Sequence, residues 1–401
     1  MTVRAPFELP APTGRYPVGT TAWRVTDGTR KETFSSSEEP RQVEVVAWYP
    51  AAARSGALAP YLRDGLAEVR TFAKLLRSSE SIFDALADVR THAYVDAAVA
   101  APSAAGARFP VLIFSHGYTG IPSSYTALLE DLASHGYVVL SVVHPYEATA
   151  ATLDGGRTVT LFDDAGKLRK DISDVFAEWG PEDTTMAAVT AAPDDAERLR
   201  LLRDYLSGLR NTNVALRRWV EDTRLVLDRL PALPSSGLPG RLTARMDSTR
   251  VGVFGHSMGG VTAGEFCVED KRCAAGLNLD GIPQYGTMID KPFGRPFLMV
   301  YSARPGRTGS VDAIYRRAAS PYYRVDVRDT LHLEFSDMPF WGGPLRERPI
   351  LGKLDPIRAT AVTREIVREY FDQELLGRKS PLLEGKAEWP DITVSTFRGG
   401  I

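Results

Sequence analysis

Short, continuous apolar runs alternate along the chain with segments whose apolar residues follow helical spacing. The runs are VEVVAWYP (43–50), FPVLIFSHG (109–117), YVVLSVVHP (137–145), RVGVFG (250–255), CAAGLNLDG (273–281) and RPFLMVYS (295–302). Such runs are typical of strands buried on both faces of a parallel sheet. Helical spacing and helix end signals occur in SSYTALLEDLASHG (123–136), and helical spacing in 213–230. The alternation predicts an α/β fold with a mostly parallel central sheet flanked by helices.

Two segments interrupt this alternation, and we interpret them as insertions in a single domain that spans residues 1–401. The first, 51–100, contains a predicted amphipathic helix over 61–77, which we expect to act as a lid or to lie on a lipid surface. Asp64 and Glu68 place acidic charge on its polar side, which favours the lid. The second, 147–211, begins with a hairpin predicted from Gly155 and Gly156 and is expected to form a cap. Residues 58–90 and 147–210 are expected to line the substrate pockets.

Composition narrows the classes of partner. Of the 401 residues, 44% are hydrophobic and 24% charged, and the net charge of −2 gives no basic field for nucleic acid. The apolar runs are too short to span a bilayer, and the N-terminus has no signal-peptide pattern. Cys267 and Cys273 are expected to be two buried thiols. We therefore predict a cytoplasmic protein without stable membrane insertion, and leave interfacial contact and oligomeric state open.

One serine stands where an apolar run meets a helix-compatible segment. The residues GHSMG (255–259) fit the G-x-S-x-G pattern of a strand–turn–helix nucleophile site. The turn forces serine into a strained backbone conformation, so its neighbours must be small. We predict that Ser257 is a nucleophile, and a serine hydroxyl needs a base to accept its proton.

The base and the acid follow from chain order, because in this arrangement the partners come as serine, acid and histidine. Of six histidines, only His332 follows the serine. The run GLNLD ends in Asp280, whereas the next run, 295–302, is followed by no carboxylate before Asp312. We predict that Asp280 orients the imidazole of His332. Asp312, Asp326 and Asp329 are alternatives by position.

The oxyanion of a tetrahedral intermediate needs two backbone donors. We predict the amide of Met258, directly after the nucleophile, and the amide of Tyr118, in the turn after an earlier strand. His116 is expected to be a buried residue that orients that turn, and His256 to pack in the nucleophile turn. No histidine pair has zinc-ligand spacing, so no metal is expected.

Taken together, these pieces resemble the platelet-activating factor acetylhydrolase-like branch of the α/β-hydrolases. The segments VVAWYP, FSHGYTG, VVHPYEATA, GHSMGG, LNLDGIP and HLEFSD come in family order and cover most of the chain. The resemblance implies an α/β-hydrolase fold with lid and cap insertions and no cofactor. It implies a triad of Ser257, Asp280 and His332, with Tyr118 and Met258 at the oxyanion hole. The implied activity is serine carboxylic-ester hydrolysis through an acyl-enzyme, on short-chain acyl or phospholipid-like esters.

Three alternatives stay open at this point. The segments FSHGYTG and GHSMGG are also similar to cutinase-type polyester hydrolases, which place the acid one strand later. There this chain has Ala303, Arg304 and Pro305, so polyester hydrolysis is the alternative and not the first choice. Acyl transfer shares the acyl-enzyme with hydrolysis, and sequence does not separate the two. A non-catalytic binding protein on the same scaffold is disfavoured because every triad position is filled.

Overall fold

The computed structural model describes residues 7–35, 38–103, 106–386 and 389–398, and this part of the chain holds thirteen strands and eleven α-helices. The strands are β1 (Val18–Lys31), β2 (Pro40–Pro50), β3 (Leu58–Pro60), β4 (Arg90–Val95), β5 (Phe109–Ser115), β6 (Val138–Val143), β7 (Ala150–Thr152), β8 (Thr158–Thr160), β9 (Met246–His256), β10 (Cys273–Leu279), β11 (Phe297–Ser302), β12 (Tyr322–Val327) and β13 (Ile392–Phe397). The α-helices are α1 (Leu66–Leu75), α2 (Thr126–Ser134), α3 (Lys170–Trp179), α4 (Glu182–Ala191), α5 (Asp195–Ser207), α6 (Arg210–Arg229), α7 (Leu238–Thr243), α8 (Met258–Glu269), α9 (Asp312–Ala318), α10 (Gly343–Arg346) and α11 (Pro356–Leu376). Short 3₁₀ helices lie at Glu80–Asp88, Pro122–Tyr125, Asp154–Gly156, Leu230–Ala232, His332–Phe335 and Met338–Trp341.

By its internal packing the chain divides into two units. The first unit consists of Met1–Lys167, Glu221–Ser248 and Ser336–Arg348, and the second of Leu168–Val220, Thr249–Phe335 and Pro349–Ile401. Within the described ranges, no helix combines the length and the apolar character needed to cross a bilayer.

The strands of the first unit follow one another in the order β5-β6-β2-β1-β4-β3. The pairs β5–β6 and β1–β4 are parallel, whereas β6–β2, β2–β1 and β4–β3 are antiparallel. Every residue of β5, β6 and α2 is buried. Burial on both faces explains why the runs at β5 and β6 are continuously apolar and do not alternate with polar residues. Strands β3 and β4 come from the predicted insertion 51–100 and extend the edge of this sheet.

Helix α1 is shorter than the helix predicted over 61–77, and it continues after a turn as the 3₁₀ helix Glu80–Asp88. Val69 on its apolar face is fully buried. Glu68, expected on the polar side, is also fully buried, and its carboxylate accepts a hydrogen bond from the hydroxyl of Ser123 at 2.9 Å. Glu68 and Val69 of α1 therefore both contact protein, whereas Arg70 is exposed. The choice between a lid and a helix on a lipid surface stays a prediction.

The second predicted insertion begins as expected and then becomes helical. Strands β7 and β8 form the antiparallel hairpin predicted from Gly155 and Gly156, both of which have positive φ, at 74° and 77°. Helices α3, α4 and α5 follow in the second unit. The assignment of 51–100 as a lid and 147–211 as a cap stays a prediction.

The second unit carries the parallel strands on which the predicted site depends. Its order is β13-β12-β11-β10-β9, in which β9 to β12 are parallel and β13 pairs antiparallel with β12. The carboxyl ends of parallel strands meet at one edge of a sheet. The predicted nucleophile, acid and base follow β9, β10 and β12 respectively, so the fold delivers them to the same edge.

The two cysteines differ from expectation. Two free thiols were expected, but Cys267 near the end of α8 and Cys273 at the start of β10 form a disulfide, with their Cα atoms 5.1 Å apart. The helix and the following strand are joined by a tight turn, so the two side chains meet. The sequence spacing of six residues does not by itself reveal that approach.

A buried ionic network joins distant parts of the first unit. Arg41 on β2 is 2% exposed, and its guanidinium lies 2.8 Å from a carboxylate oxygen of Glu32 and 2.6 Å from one of Asp222. Asp222 also accepts a hydrogen bond from Nδ1 of His144 at 3.0 Å, and Nε2 of His144 lies 3.2 Å from the Ser115 hydroxyl. Burial opposes the charge on Asp222, but Arg41 outweighs it and holds the pKa of that carboxyl well below its ordinary value.

We predict that Asp222→Asn lowers the free energy of unfolding by about 3–5 kcal/mol, because it leaves the buried guanidinium of Arg41 without its closest counter-charge. Urea unfolding measures this loss. Asp88→Asn, at an exposed position of the same unit, is the matched control and should cost less than about 0.5 kcal/mol. Equal stabilities of the two variants would contradict the importance of this network.

Candidate active site

Ser257 occupies the turn between β9 and α8 and has φ 55° and ψ −125°. Non-glycine residues rarely adopt positive φ, and such strain persists only where the surrounding structure enforces it. Here the amide of Ser257 donates to the carbonyl of Leu279 at 2.9 Å, and its own carbonyl accepts from the amides of Gly260 and Val261 at 2.9 and 3.1 Å. The turn therefore has the conformation expected of a nucleophile elbow.

The elbow and the turn after β10 approach each other without side chains between them. A Cβ added to Gly281 would lie 2.2 Å from the carbonyl oxygen of Ser257, and one added to Gly260 would lie 2.0 Å from Oδ1 of Asn278. The amide side chain of Asn278 accepts from the Gly281 N–H at 2.8 Å and donates to the Gly281 carbonyl at 2.9 Å. Glycine at 260 and 281 is thus required by close contact.

Asp280 follows β10, is fully buried and has φ 55°. Its Oδ1 accepts from the Ser302 amide at 2.9 Å, and its Oδ2 accepts from the Ser302 hydroxyl at 2.9 Å and from Nδ1 of His332 at 2.7 Å. The Arg304 guanidinium lies 2.8 Å from the same Oδ2. Burial opposes ionisation, but Arg304 and the hydrogen bond from His332 outweigh it and lower the pKa of Asp280 to about 2.

His332 begins the 3₁₀ helix that follows β12. Because Asp280 is ionised, Nδ1 of His332 carries the proton in their hydrogen bond and Nε2 is the basic nitrogen. Partial burial and the charge of Arg304 lower the pKa of His332 below its ordinary value of 6.5, although Asp280 acts in the opposite direction. The imidazole is therefore neutral at pH 7, as a general base must be.

His256 has a larger part in the site than the packing role expected from sequence. It is buried, and its Nε2 donates to the backbone carbonyl of His332 at 2.8 Å, with ring centroids 4.5 Å apart. Ser302 and Arg304, which bind Asp280, were also missed. The sequence signal for Arg304 is a positively charged residue at a strand end, in a segment that has no carboxylate before Asp312.

The alternative acids have other partners. Asp312 accepts from the hydroxyls of Tyr301 and Tyr322 at 2.8 and 2.6 Å, and Asp326 pairs with Arg324 at 2.8 Å. Asp329 uses its backbone carbonyl to accept from the amides of Lys353 and Leu354. Asp280 is the predicted acid that binds His332.

The two predicted oxyanion donors lie in different units. Met258 is the first residue of α8, where amides lack an acceptor within the helix. Tyr118 lies in the loop after β5 of the first unit, and its role as a donor stays a prediction. In the same loop His116 is fully buried, as expected, and its Nδ1 donates to the Gly117 carbonyl at 2.7 Å. Burial, with a smaller contribution from His144, lowers the pKa of His116 to about 3.

No group of three or more His, Cys, Asp or Glu side chains is arranged to hold a metal ion in the part of the chain that the structure describes. The expectation that the protein needs no metal or cofactor stays a prediction.

Comparison with known proteins identifies acetylhydrolases and esterases among the relatives of this chain. Residues 1–159 match the family described as platelet-activating factor acetylhydrolase, isoform II. The platelet-activating factor acetylhydrolase of Cavia porcellus is 26% identical over 320 residues, and that of Gallus gallus is 22% identical over 287; they align with 74% and 67% of this chain. A probable 1-alkyl-2-acetylglycerophosphocholine esterase of Arthroderma benhamiae is 22% identical over 305 residues and aligns with 71% of this chain. The chain covers only 63–66% of the length of these relatives.

A solved structure covers nearly the whole chain. The ferulic acid esterase of Streptomyces cinnamoneus is 29% identical, with a TM-score of 0.73, and the match spans 97% of this chain and 99% of the esterase. The predicted α/β-hydrolase fold is confirmed by this match, and the resemblance to platelet-activating factor acetylhydrolases is confirmed by the relatives above. Together they support the predicted class of serine ester hydrolase.

We predict that Gly281→Ala lowers kcat/KM on an ester substrate at least about tenfold and costs about 1–3 kcal/mol of stability, because the new Cβ pushes the Asp280 turn away from the elbow. Ester hydrolysis and thermal unfolding are measured on the same preparations. Gly28→Ala is the control, since an added Cβ there meets nothing within 4 Å. Unchanged activity and stability in Gly281→Ala would refute the close-contact argument.

Proposed function

We propose that this chain is a serine carboxylic-ester hydrolase in which Ser257 is the nucleophile, His332 the general base and Asp280 the group that orients the base. The observation that supports this most is the 2.7 Å hydrogen bond from His332 Nδ1 to a buried, ionised Asp280, on the sheet edge where Ser257 stands in a strained turn. This bond fixes the tautomer that leaves Nε2 basic.

The proposed reaction proceeds in two halves. Ser257 Oγ attacks the acyl carbonyl carbon while Nε2 of His332 takes the hydroxyl proton, and the carbonyl oxygen becomes an oxyanion. The amide of Met258 supplies one hydrogen bond to that oxyanion, and the amide of Tyr118 is proposed as the second. The imidazolium then gives its proton to the leaving alcohol, which departs from the acyl-enzyme. Water deprotonated by His332 attacks the acyl carbonyl, and the carboxylic acid is released as the serine regains its proton.

Two substrate classes have support. The names of the sequence relatives favour short acyl esters of phospholipid-like alcohols. The full-length match to a ferulic acid esterase favours esters of aromatic acids.

The remaining alternatives are weaker. A cutinase-type polyester hydrolase would carry its acid after β11, where Arg304 instead binds Asp280. Acyl transfer to an alcohol or amine would use the same acyl-enzyme. Analysis of the products distinguishes it from hydrolysis. A binding protein without catalysis is disfavoured by the hydrogen-bonded pair of Asp280 and His332.

We predict that the chain hydrolyses p-nitrophenyl acetate or butyrate, or methyl ferulate. Ser257→Ala should lower this activity by at least about 10³-fold, because alanine lacks the hydroxyl that forms the proposed acyl-enzyme. The panel runs from p-nitrophenyl acetate to palmitate, so that chain length is compared on one leaving group. Ser207→Ala, an exposed serine on α5, is the control and should retain full activity. Equal activity of Ser257→Ala and the parent chain would refute the proposal.

The pH dependence follows from the base. His332 must be neutral to accept the proton, and its pKa lies below 6.5. We predict that kcat/KM is constant near pH 7 and falls as the pH decreases, with a midpoint below pH 6.5. Circular dichroism over the same range checks that the protein stays folded. A midpoint at pH 7 or above would contradict the proposed environment of His332.

The compartment proposed from the structure differs from the cytoplasmic location predicted from sequence. Disulfides persist mainly in oxidising compartments and are rare in the cytoplasm. We infer from the Cys267–Cys273 bond that the chain folds in an oxidising compartment.

A further inference from the structure

Arg304 stands at the strand end where other esterases of this fold carry the acid. It follows β11 by two residues, and its guanidinium Nη2 lies 2.8 Å from Oδ2 of Asp280 and donates to the backbone carbonyl of Asp280 at 3.1 Å. Its side chain is 21% exposed, whereas the carboxylate it binds is fully buried. An ion pair of this kind is screened little by solvent.

Oδ2 of Asp280 therefore contacts three groups: it accepts hydrogen bonds from the hydroxyl of Ser302 and from Nδ1 of His332, and it forms an ion pair with the guanidinium of Arg304. Of these, the hydroxyl is neutral and the imidazole is neutral in the resting state. Arg304 alone brings a permanent charge to the carboxylate. It stabilises the carboxylate ion, and it lies close enough to His332 to oppose the positive charge that the imidazole acquires during the reaction.

The loop that holds Arg304 is braced from several sides. Its neighbour Ala303 donates to the Thr330 carbonyl at 3.0 Å. Arg307, which is 4% exposed, pairs with Glu182 of α4 at 2.7 Å and also with Asp183. Contacts with other elements thus hold the loop on both sides of Arg304.

Resting on the proposed hydrolase function, we propose that Arg304 is a positioning residue. It holds the carboxylate of Asp280 ionised and in place. Its charge also sets the lowest pH at which His332 is neutral and can accept a proton. Four groups near the imidazole matter for this effect. Asp280 favours protonation, Arg304 and Arg307 oppose it, and His256 is buried and neutral because burial, followed by His332, lowers its pKa well below 6.5.

Two further charges lie on elements packed near His332. Glu334 in the same turn accepts from the Leu331 amide at 2.6 Å, and α11, which packs on this turn, contains the buried Arg364. They are unchanged by substitution at 304. Removing the Arg304 charge raises the pKa of His332 because Asp280, still hydrogen-bonded by Ser302, stays ionised across the range in which the histidine titrates.

The test is the pH profile of kcat/KM for Arg304→Met, which keeps an unbranched, flexible stem and removes the charged guanidinium. We expect the acid midpoint to move up by about half to one pH unit. Arg304→Lys restores the charge and should return the midpoint toward that of the parent chain. Arg316→Met, which removes an arginine paired with Asp195, is the matched control and should leave the midpoint in place.

Arg304→Gln serves as a second neutral variant, and thermal unfolding is measured for each. A folded neutral variant with an unmoved midpoint overturns the inference, as does an equal shift in Arg304→Lys. If neither neutral variant folds, Arg304 serves stability and the inference is also overturned. Ser257→Ala is assayed in parallel: activity that survives in it sinks the proposed hydrolase function, whereas Ser257-dependent activity with an unmoved midpoint sinks only the role of Arg304.

Discussion

The buried carboxylate of Asp280 is the constraint around which the second unit is organised. A charge in a protein interior costs several kcal/mol unless counter-charge and hydrogen bonds surround it. Here Ser302 and Arg304 supply them from the end of β11 and the loop beyond it, and His332 supplies one from the loop after β12. The register of parallel strands therefore sets the distances on which the imidazole depends. Positive φ at Ser257 and at Asp280 is a local cost of bringing the two turns into contact.

The same three residue types occur in a second array with the opposite character. In the first unit Ser115, His144 and Asp222 are linked by hydrogen bonds, yet none of the His144 side chain is exposed, whereas 27% of the His332 side chain is. Ser115 ends a buried strand and is itself buried. Its array is a structural network anchored by an arginine. The two arrays therefore contain the same residue types but differ in two respects. In the second unit the histidine is accessible to solvent, and the serine lies in a strained turn.

The order of strands and helices could be predicted because it depends on local patterns, and Ser257, Asp280 and His332 could be named because chain order left few choices. The contacts that could not be predicted depend on side-chain directions at neighbouring strand ends. For Arg304, the sequence shows only that no acidic residue follows the run 295–302 before Asp312. The helical pattern places Glu68 on the polar face of its helix, where exposure is expected. In the structure Glu68 is buried and accepts a hydrogen bond from Ser123. Likewise, no sequence pattern revealed that the end of α8 and the start of β10 bring two cysteines together.

The loop after β11 limits which helical segments can be exchanged in this fold. Arg307 is almost fully enclosed and is neutralised by Glu182 and Asp183 of helix α4, while three residues earlier Arg304 holds Asp280. A chimaera that exchanged the helices 168–207 for those of a related protein would remove Glu182 and Asp183, the counter-charges of Arg307. The uncompensated charge would then stand three residues from the arginine that pairs with Asp280. Such an exchange must therefore keep the two carboxylates or replace Arg307 as well.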